Sequence, residues 1–398
     1  MFLIGSSSLG ALHRFILLYV LMYAAFGAAS PFWPLFFEAR GLTPEQLGFL
    51  LALGQLVRLI AGPLAGRVAD ILGALRASLA TCTSFAALLT VALLTVEGFW
   101  PLAVIHMAHA AMLAPITALA DAIAVNAARA PQKGFEYGWV RGSASAAFIA
   151  GTLAAGQIVG ANDLSAIAWM QAALLAGVVL SAPLVPPLDA SSAQGERELS
   201  STFGGIQELC KIALFRRLVL VAALVYGSHA MHDAFAPIRW NTAGISTTAT
   251  SLLWSEAVAA EVLVFFWIGP ALLNRIGPSG AAALAAAAGI VRWVVMSQST
   301  ALVALALVQP LHGLTFALLH LACMRIIALI VPIHLAATAQ ALYAVGSGAA
   351  IALLTVVSGQ LYGQLGAHAF LAMALLCALA LQPALGLQVA GPKLQNSV

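Results

Sequence analysis

Charged residues are the scarcest feature of this sequence. Only 8% of its 398 residues are Asp, Glu, Lys or Arg, whereas 62% are hydrophobic. A soluble domain carries roughly 25% charged and about half apolar residues, and a single soluble core stops growing near ~250–300 residues. The composition therefore excludes a soluble globular protein and indicates one that crosses a membrane many times. The net charge of +3 is small, which argues against nucleic acid as a partner.

The chain has only four cysteines, and no CxxC pair occurs among Cys82, Cys210, Cys323 and Cys377. This spacing indicates neither a disulfide framework nor a metal site, and we expect no cofactor. The sequence also lacks GxxxxGK[ST], HExxH and GxSxG. The first absence argues against ATP-driven transport by this chain, and the other two argue against an intramembrane enzyme.

Long apolar runs take the place of these motifs. Stretches of about 20 apolar residues are long enough to span a bilayer as helices. We predict twelve such spans, at 15–37, 45–66, 74–95, 100–127, 137–160, 164–185, 214–240, 250–273, 279–297, 301–328, 334–358 and 368–388.

The basic residues predict the orientation of these spans, because cytoplasmic loops carry an excess of Lys and Arg. With the N-terminus inside, only Arg40 and Arg239 of the loop residues fall outside. We therefore expect both termini in the cytoplasm. The residues on the cytoplasmic side are then Arg14, Arg67, Arg76, Arg129, Lys133, Arg197, Lys211, Arg216, Arg217, Arg275 and Lys393.

An internal repeat divides the chain into two halves. Residues 41–73 align with 244–277 with one inserted residue, and each copy ends on a glycine, Gly73 or Gly277. The longest polar segment, 187–212, separates the copies and is predicted to be a cytoplasmic linker. We thus expect six-helix halves at 1–186 and 213–398, with a substrate site between them that opens alternately to each side.

Several motifs resemble the major facilitator superfamily. The stretch "GRVADILGALR" resembles its cytoplasmic gate motif between the second and third helices, although Ile71 and Ala74 replace the usual basic residues. "FEYGWVR", "FFWIGPALLNRIG" and "IVRWVVMS" resemble the branch that holds lactose permease and the phenylpropionate permeases. The motif positions that match the gate are Gly66, Asp70, Gly73 and Arg76.

This resemblance implies an all-α membrane protein with twelve transmembrane helices in two pseudo-symmetric halves. It further implies a secondary transporter of the bacterial inner membrane, expected to be a monomer, whose partners are a small-molecule substrate, protons and the lipid bilayer. Lactose permease has its proton-carrying glutamate where this chain has Thr315. A simple copy of that sugar mechanism is therefore not expected.

Two opposite charges flank one predicted cytoplasmic loop, Asp121 before it and Arg141 after it. A charged group within a span costs on the order of 2.5–3.5 kcal/mol on insertion scales, so we predict that the two form an ion pair. Alternatively, Arg141 extends only to the inner interface. By resemblance to lactose permease, the arginine at this position holds the substrate.

The first predicted span carries one stripe of aromatic and polar residues at helical spacing. A stripe facing a cavity can stack on an aromatic substrate, whereas packing or contact with lipid is the simpler interpretation. Pro31 and Pro34 are expected to kink the outer end of this helix. Arg58 in the second span has no evident partner. The members of the stripe are Tyr19, Tyr23, Phe26, Ser30 and Trp33.

The seventh span contains "YGSHAMHDAF", in which Tyr226, His229 and Asp233 share one helical face. We predict that Tyr226 and His229 contribute to the substrate site and that Asp233 exchanges a proton. His232 lies one residue off this face. A hydrogen-bonded structural role for either histidine remains the alternative.

Further ionisable residues lie in the eighth to tenth spans. Glu261 is nearer the centre of its span than Glu256, and a carboxyl group in a dry cavity is biased towards binding a proton. We expect Arg292 to reach Glu261 and His312 to join the same network. Glu261 and Asp233 are the favoured proton carriers, with the histidines as the alternative.

These features favour a proton symporter for a small aromatic carboxylate such as 3-phenylpropionate, with arginines holding the carboxylate and the aromatic stripe holding the ring. A sugar or nucleoside is the alternative substrate. A transporter-like sensor without flux is a more remote alternative.

Overall fold

The computed structural model describes residues 6–129, 135–159, 163–186 and 202–388. Within these ranges the chain is helical and contains no strand. The helices before residue 187 are α1 (Ser6–Ala29), α2 (Trp33–Ala39), α3 (Pro44–Leu72), α4 (Leu75–Ala92), α5 (Phe99–Leu113), α6 (Ile116–Ala128), α7 (Tyr137–Ile158) and α8 (Ser165–Ser181).

Ten helices follow after residue 201. They are α9 (Thr202–Lys211), α10 (Ala213–Gly227), α11 (His229–Thr242), α12 (Thr247–Leu263), α13 (Gly269–Gln298), α14 (Leu302–Val308), α15 (Leu311–Gly313), α16 (Leu319–Ile330), α17 (Ala336–Leu365) and α18 (Phe370–Leu385). Two π-helical turns interrupt them, at Val264–Ile268 and Leu314–Leu318. Three short 3-10 segments complete the described chain, at Ala182–Leu184, Ile333–Leu335 and Gly366–Ala369.

Nine helical stretches of the described residues are long and apolar enough to cross a membrane. Two of them, Thr247–Gln298 and Ile333–Leu385, have 52 and 53 residues, more than twice the length that one crossing requires. Each contains a glycine with positive φ, Gly277 at 71° or Gly366 at 56°, where the helix is interrupted. With these two divided and α7 included, the helices are compatible with twelve crossings, and the count itself stays a prediction.

The backbone supports the internal repeat at its glycines. Gly41 and Gly244 both have a φ of 81°, and Gly73 and Gly277 have values of 61° and 71°. These left-handed conformations suit glycine because it lacks a Cβ. Both members of each pair occupy corresponding positions in the two aligned segments, so the pseudo-symmetry predicted from the sequence is confirmed at these turns.

The predicted kink in the first span is present as a break. Helix α1 ends at Ala29 and α2 begins at Trp33, with Pro34 in the first turn of α2. Proline is tolerated in a first turn because its missing N–H has no helical partner there.

Some predicted features lie outside the described residues. These are Lys133, Arg197, Lys393 and residues 187–201 of the predicted linker. The end of that linker is described and forms α9.

The described residues divide into two compact units. The first comprises those within Met1–Arg197, Asp233–Ser255 and Thr355–Gln364, and the second those within Glu198–His232, Glu256–Leu354 and Leu365–Val398. Two segments of the predicted second half therefore pack with the first. The division of the chain at 187–212 stays a prediction.

Close helix contacts build the first unit. A Cβ on Gly27 of α1 would lie 2.8 Å from the carbonyl carbon of Phe148 in α7, and Thr152 Oγ1 donates to the Gly27 carbonyl at 2.9 Å. Helices α1 and α7 thus approach backbone to backbone. The same unit includes the start of α12, where Thr247 Oγ1 lies 2.7 Å from the Val159 carbonyl oxygen.

A glycine contact also shapes the second unit. A Cβ on Gly313 would lie 2.6 Å from the carbonyl oxygen of Ala260. His312 precedes Gly313 in the sequence, and Glu261 follows Ala260. The close approach of Gly313 to Ala260 therefore brings His312 near Glu261. The larger apolar core of this unit includes Leu218, Val225, Leu319, Ile326 and Ala339.

Candidate functional site

The first unit contains a polar cluster centred on Asp121 of α6. The hydroxyls of Tyr19 and Tyr137 each donate to Asp121 Oδ1 at 2.6 Å. Arg141 Nη1 lies 3.9 Å from the same oxygen, which is within ion-pair distance and longer than a hydrogen bond. The predicted partners are therefore neighbours, while the phenols are the direct ligands of the carboxylate. We call Tyr19, Tyr23, Asp121, Tyr137 and Arg141 the aromatic–arginine cluster.

Arg141 has a second partner in Tyr23. Its Nη1 donates to the Tyr23 hydroxyl, and its guanidinium carbon lies 5.3 Å from the centre of the Tyr23 ring. The side chain of Arg141 is 41% exposed and that of Asp121 is 34% exposed. The guanidinium is thus positioned by the protein and still has donors available for a ligand.

Two helix faces explain how the cluster assembles. Tyr19 and Tyr23 are four residues apart on α1, and Tyr137 and Arg141 are four residues apart on α7, so each pair projects from one face. The Tyr19 and Tyr23 rings stack with centroids 6.0 Å apart. Tyr137 was missed as a site residue, although its spacing from Arg141 was a signal that could have identified it.

The predicted stripe of the first span divides between two environments. Tyr19 and Tyr23 belong to the aromatic–arginine cluster, whereas Phe26, Ser30 and Trp33 line a separate cavity. Trp33 is buried there, and its Nε1 donates to Gln171 Oε1 at 3.2 Å.

The predicted gate motif lies at the C-terminal end of α3 and the start of α4. Gly73 caps α3 in the left-handed conformation, and Arg76 Nη1 donates to the Val185 carbonyl at 3.0 Å. Gly66 has open space around its Cα, and Asp70 is exposed. The arrangement ties the start of α4 to the end of α8 within the first unit.

The second unit holds an arginine in a different setting. Arg292 of α13 is fully buried, and its Nη2 donates to Gln309 Oε1 at 2.9 Å. The same guanidinium contacts His312 Nδ1 at 3.1 Å and His232 Nε2 at 3.3 Å, and lies 4.6 Å from the Trp293 ring centre. Gln309 was not among the predicted site residues, and His232 was predicted only as an alternative proton carrier.

The hydrogen bond from Arg292 determines the tautomer of His312. A guanidinium has donors and no acceptor, so His312 Nδ1 must accept and its proton resides on Nε2. That Nε2 lies 3.5 Å from Glu261 Oε2. Arg292, His312 and Glu261 therefore form a directional chain, which we call the arginine–histidine–glutamate relay. The predicted link between Arg292 and Glu261 passes through His312.

Helix geometry brings the relay together. Gly313 permits the close approach to Ala260, and π-helical turns follow both Leu263 and Gly313. A π-helical turn shifts the register of the side chains that follow it and is frequent at functional sites.

The remaining residues of the seventh span are separated by the break between α10 and α11 at Ser228. The Tyr226 hydroxyl accepts from Tyr343 at 3.0 Å and lies 3.3 Å from the Phe316 carbonyl oxygen. His229 is buried against Trp293, with ring centroids 5.5 Å apart. Asp233 belongs to the first unit and is exposed.

Comparisons with known proteins agree with this architecture. A family model described as the MFS_1 like family matches residues 12–372. The chain is 32% identical over 366 residues to an Escherichia coli (strain K12) protein named "Probable 3-phenylpropionic acid transporter", covering 90% of this chain and 93% of that protein.

Solved structures show the same fold. A crystal structure of the nucleoside transporter NupG matches with a TM-score of 0.82 at 16% identity, over 96% of this chain and 98% of that one. A crystal structure of a D-xylose-proton symporter matches with a TM-score of 0.67 at 14% identity, over 96% of each chain.

Proposed function

Since this chain belongs to the MFS_1 like family of the major facilitator superfamily, we propose that it carries out proton-coupled uptake of a small aromatic carboxylate resembling 3-phenylpropionate. The chain is a multi-pass membrane transporter and not an enzyme. Proton coupling, the substrate and the direction of transport are parts of the proposal.

The observation that carries the substrate proposal is the aromatic–arginine cluster. A carboxylate fits the two-pronged donor geometry of a guanidinium, and the half-exposed Arg141 has donors beyond the one used by Tyr23. The partly exposed Tyr23 ring provides an aromatic surface beside it, with the buried Tyr19 ring stacked behind. The name of the Escherichia coli relative supports the same class of substrate.

Asp121 has a positioning role in this proposal. Its carboxylate accepts from Tyr19 and Tyr137 and attracts Arg141, so it orients both sides of the cluster. Without that anion, the guanidinium is free to leave the face it shares with the stacked rings.

The relay supplies the proposed coupling group. The Glu261 carboxylate lies 3.5 Å from His312 Nε2 and attracts its N–H, while Arg292 holds the other ring nitrogen. Once Glu261 binds a proton, its attraction for His312 weakens and the relay loosens. We propose that this change links proton binding to the change of access, with Asp233 as a second candidate carrier.

The alternatives are a sugar or nucleoside as substrate and, more remotely, a sensor without flux. The NupG and D-xylose symporter structures share the fold at 16% and 14% identity, which carries no argument about the substrate. Location in a bacterial inner membrane, both termini in the cytoplasm, a monomeric state and a site between the two halves also belong to the proposal.

Transport by reconstituted protein tests the proposal. Proteoliposomes with an imposed inward proton gradient are expected to accumulate 3-phenylpropionate above its external concentration, and a protonophore should abolish the accumulation. Xylose and uridine serve as competitors. Uphill uptake of either competitor without uptake of the acid would contradict the substrate, and uptake insensitive to the protonophore would contradict the coupling.

A further inference from the structure

A cavity of about 420 Å³ lies within the first unit. Its volume falls in the range of roughly 300–1,000 Å³ typical of small-molecule sites. None of the five residues of the aromatic–arginine cluster lines it, although Phe26 of its wall contacts the Tyr23 ring with centroids 5.6 Å apart. The lining residues that matter here are Trp33, Arg58, His106, His109, Phe148 and Gln171.

Arg58 is the charged member of this lining. Arg58 has no ion pair with a carboxylate among the described residues, whereas Arg141 lies beside Asp121 and His312 beside Glu261. A guanidinium keeps its charge, and one placed in a membrane span marks a functional site by default. The cavity therefore has an unmatched positive charge in its wall.

His109 uses one of its two ring nitrogens within the protein. The Thr90 hydroxyl donates its only proton to the Ala86 carbonyl at 2.8 Å. Thr90 Oγ1 must therefore accept from His109 Nε2 at 3.0 Å. The His106 and His109 Nδ1 atoms have no hydrogen-bond partner in the described chain, so this wall retains polar capacity that the protein does not use.

Gln171 adds a neutral donor. Its Oε1 accepts from Trp33, so its amide N–H groups remain for a ligand, and the same bond fixes the Trp33 indole. Phe26 and Phe148 complete an aromatic wall. One fixed cation, an amide donor and aromatic surfaces suit a ring that bears a carboxylate.

From this arrangement we propose that the cavity around Arg58 is a second binding site, specific for an aromatic monocarboxylate. A cationic ligand is disfavoured because no carboxylate lines the cavity. The site shares no residue with the aromatic–arginine cluster or the relay, so binding at it can be measured separately from the proposed transport.

Equilibrium binding to purified protein tests the site. The probes are 3-phenylpropionate and its uncharged amide, applied to an Arg141→Gln background that removes the guanidinium of the other cluster. This background should still bind the acid and reject the amide. Adding Arg58→Gln should weaken binding of the acid about tenfold or more, whereas adding Arg67→Gln, which removes a guanidinium of the same helix that does not line the cavity, should not.

Two further variants keep the test decisive if Arg58→Gln folds poorly. Arg58→Lys keeps the positive charge but lacks the two-pronged donor geometry of a guanidinium. It should weaken binding of the acid less than Arg58→Gln does. Trp33→Phe should bind the acid and lose the ligand-induced change in tryptophan fluorescence. Binding that is equal in the Arg58 and Arg67 variants, equal for acid and amide, or absent from the background would overturn the proposal.

The outcome is separable from that of the proposed function. Binding that depends on Arg58 in a protein that transports no aromatic acid would leave this site standing and refute the transport proposal. Uptake of 3-phenylpropionate with no binding that depends on Arg58 would refute this site and leave the transport proposal standing.

Discussion

Arg141 and Arg292 are two membrane arginines whose charges are accommodated differently. Arg141 is 41% exposed and lies 3.9 Å from a carboxylate. Arg292 is fully buried, and its partners include two neutral acceptors, Gln309 at 2.9 Å and His312 at 3.1 Å. The carboxylate of Glu261 stands one residue further away, beyond His312.

The difference separates two tasks. A half-exposed guanidinium beside stacked tyrosines can take up and release an anion. A buried guanidinium linked through a histidine to a carboxylate is instead sensitive to whether that carboxylate carries a proton. We therefore assign recognition to the aromatic–arginine cluster and coupling to the relay, and the following variants test that assignment.

Removing Arg292 should have the largest effect on stability. Arg292→Leu leaves Gln309 Oε1, His312 Nδ1 and His232 Nε2 without their common donor in a buried region. Each unsatisfied buried group costs about 1–3 kcal/mol, so we expect a loss of about 3 kcal/mol or more, seen as a marked fall in Tm. Arg275→Gln, at an exposed position of the same helix, should change stability by about 0.5 kcal/mol or less. Equal Tm values for the two variants would refute the role given to Arg292.

Neutralising Asp121 should chiefly affect transport. In Asp121→Asn the amide oxygen can still accept from Tyr19 and Tyr137, and the pair with Arg141 is partly exposed, so stability should fall by about 1 kcal/mol or less. Uptake should nevertheless fall about tenfold or more, because Arg141 loses its anchor. Exchanging Asp121 and Arg141 should restore some folding if the pair is mainly structural. Normal expression and uptake in Asp121→Asn would contradict the pairing.

Two glycines allow a matched comparison of the regions, since Gly142 follows Arg141 and Gly313 follows His312. A Cβ on Gly313 meets the Ala260 carbonyl oxygen at 2.6 Å, whereas nothing lies within 4 Å of one on Gly142. We expect Gly313→Ala to destabilise the protein by about 1–3 kcal/mol and to impair coupling. Gly142→Ala should be neutral or stabilise α7 by up to about 1 kcal/mol. Thermal unfolding of both variants measures the difference, and the opposite ranking would show that the Gly313 approach is not required.

The phenol contacts to Asp121 should have the smallest effects. Tyr19→Phe and Tyr137→Phe each remove one hydrogen bond of 2.6 Å, worth about 1 kcal/mol. Tyr19 is fully buried and Tyr137 is not, so Tyr19→Phe should lower the Tm more. A larger loss in Tyr137→Phe would show that burial does not determine the strength of these contacts.

The sequence predicts the contacts that follow from neighbouring helices. Asp121 and Arg141 flank one loop, so their proximity follows from antiparallel spans. Tyr137 was identifiable from its spacing to Arg141, and Gln309 from its place within an apolar run.

Contacts that depend on tertiary packing were beyond sequence reasoning. Arg58, His106, Trp33 and Gln171 come from four different helices and carry no common local signal. The insertion of His312 between Arg292 and Glu261 depends on the approach of Gly313 to Ala260, which no periodicity reveals.

The central claim is that Glu261, through His312 and Arg292, couples protons to transport. Its most direct test compares uphill uptake of 3-phenylpropionate with exchange of internal for external substrate in proteoliposomes of Glu261→Gln. Glu256→Gln is the matched control, since it removes a carboxylate from the same helix outside the relay. We predict that Glu261→Gln loses uphill uptake and keeps exchange, because exchange requires no net release of a proton, and that Glu256→Gln keeps both. Uphill accumulation that persists in Glu261→Gln and also in Asp233→Asn would contradict the claim and assign the proton to the histidines.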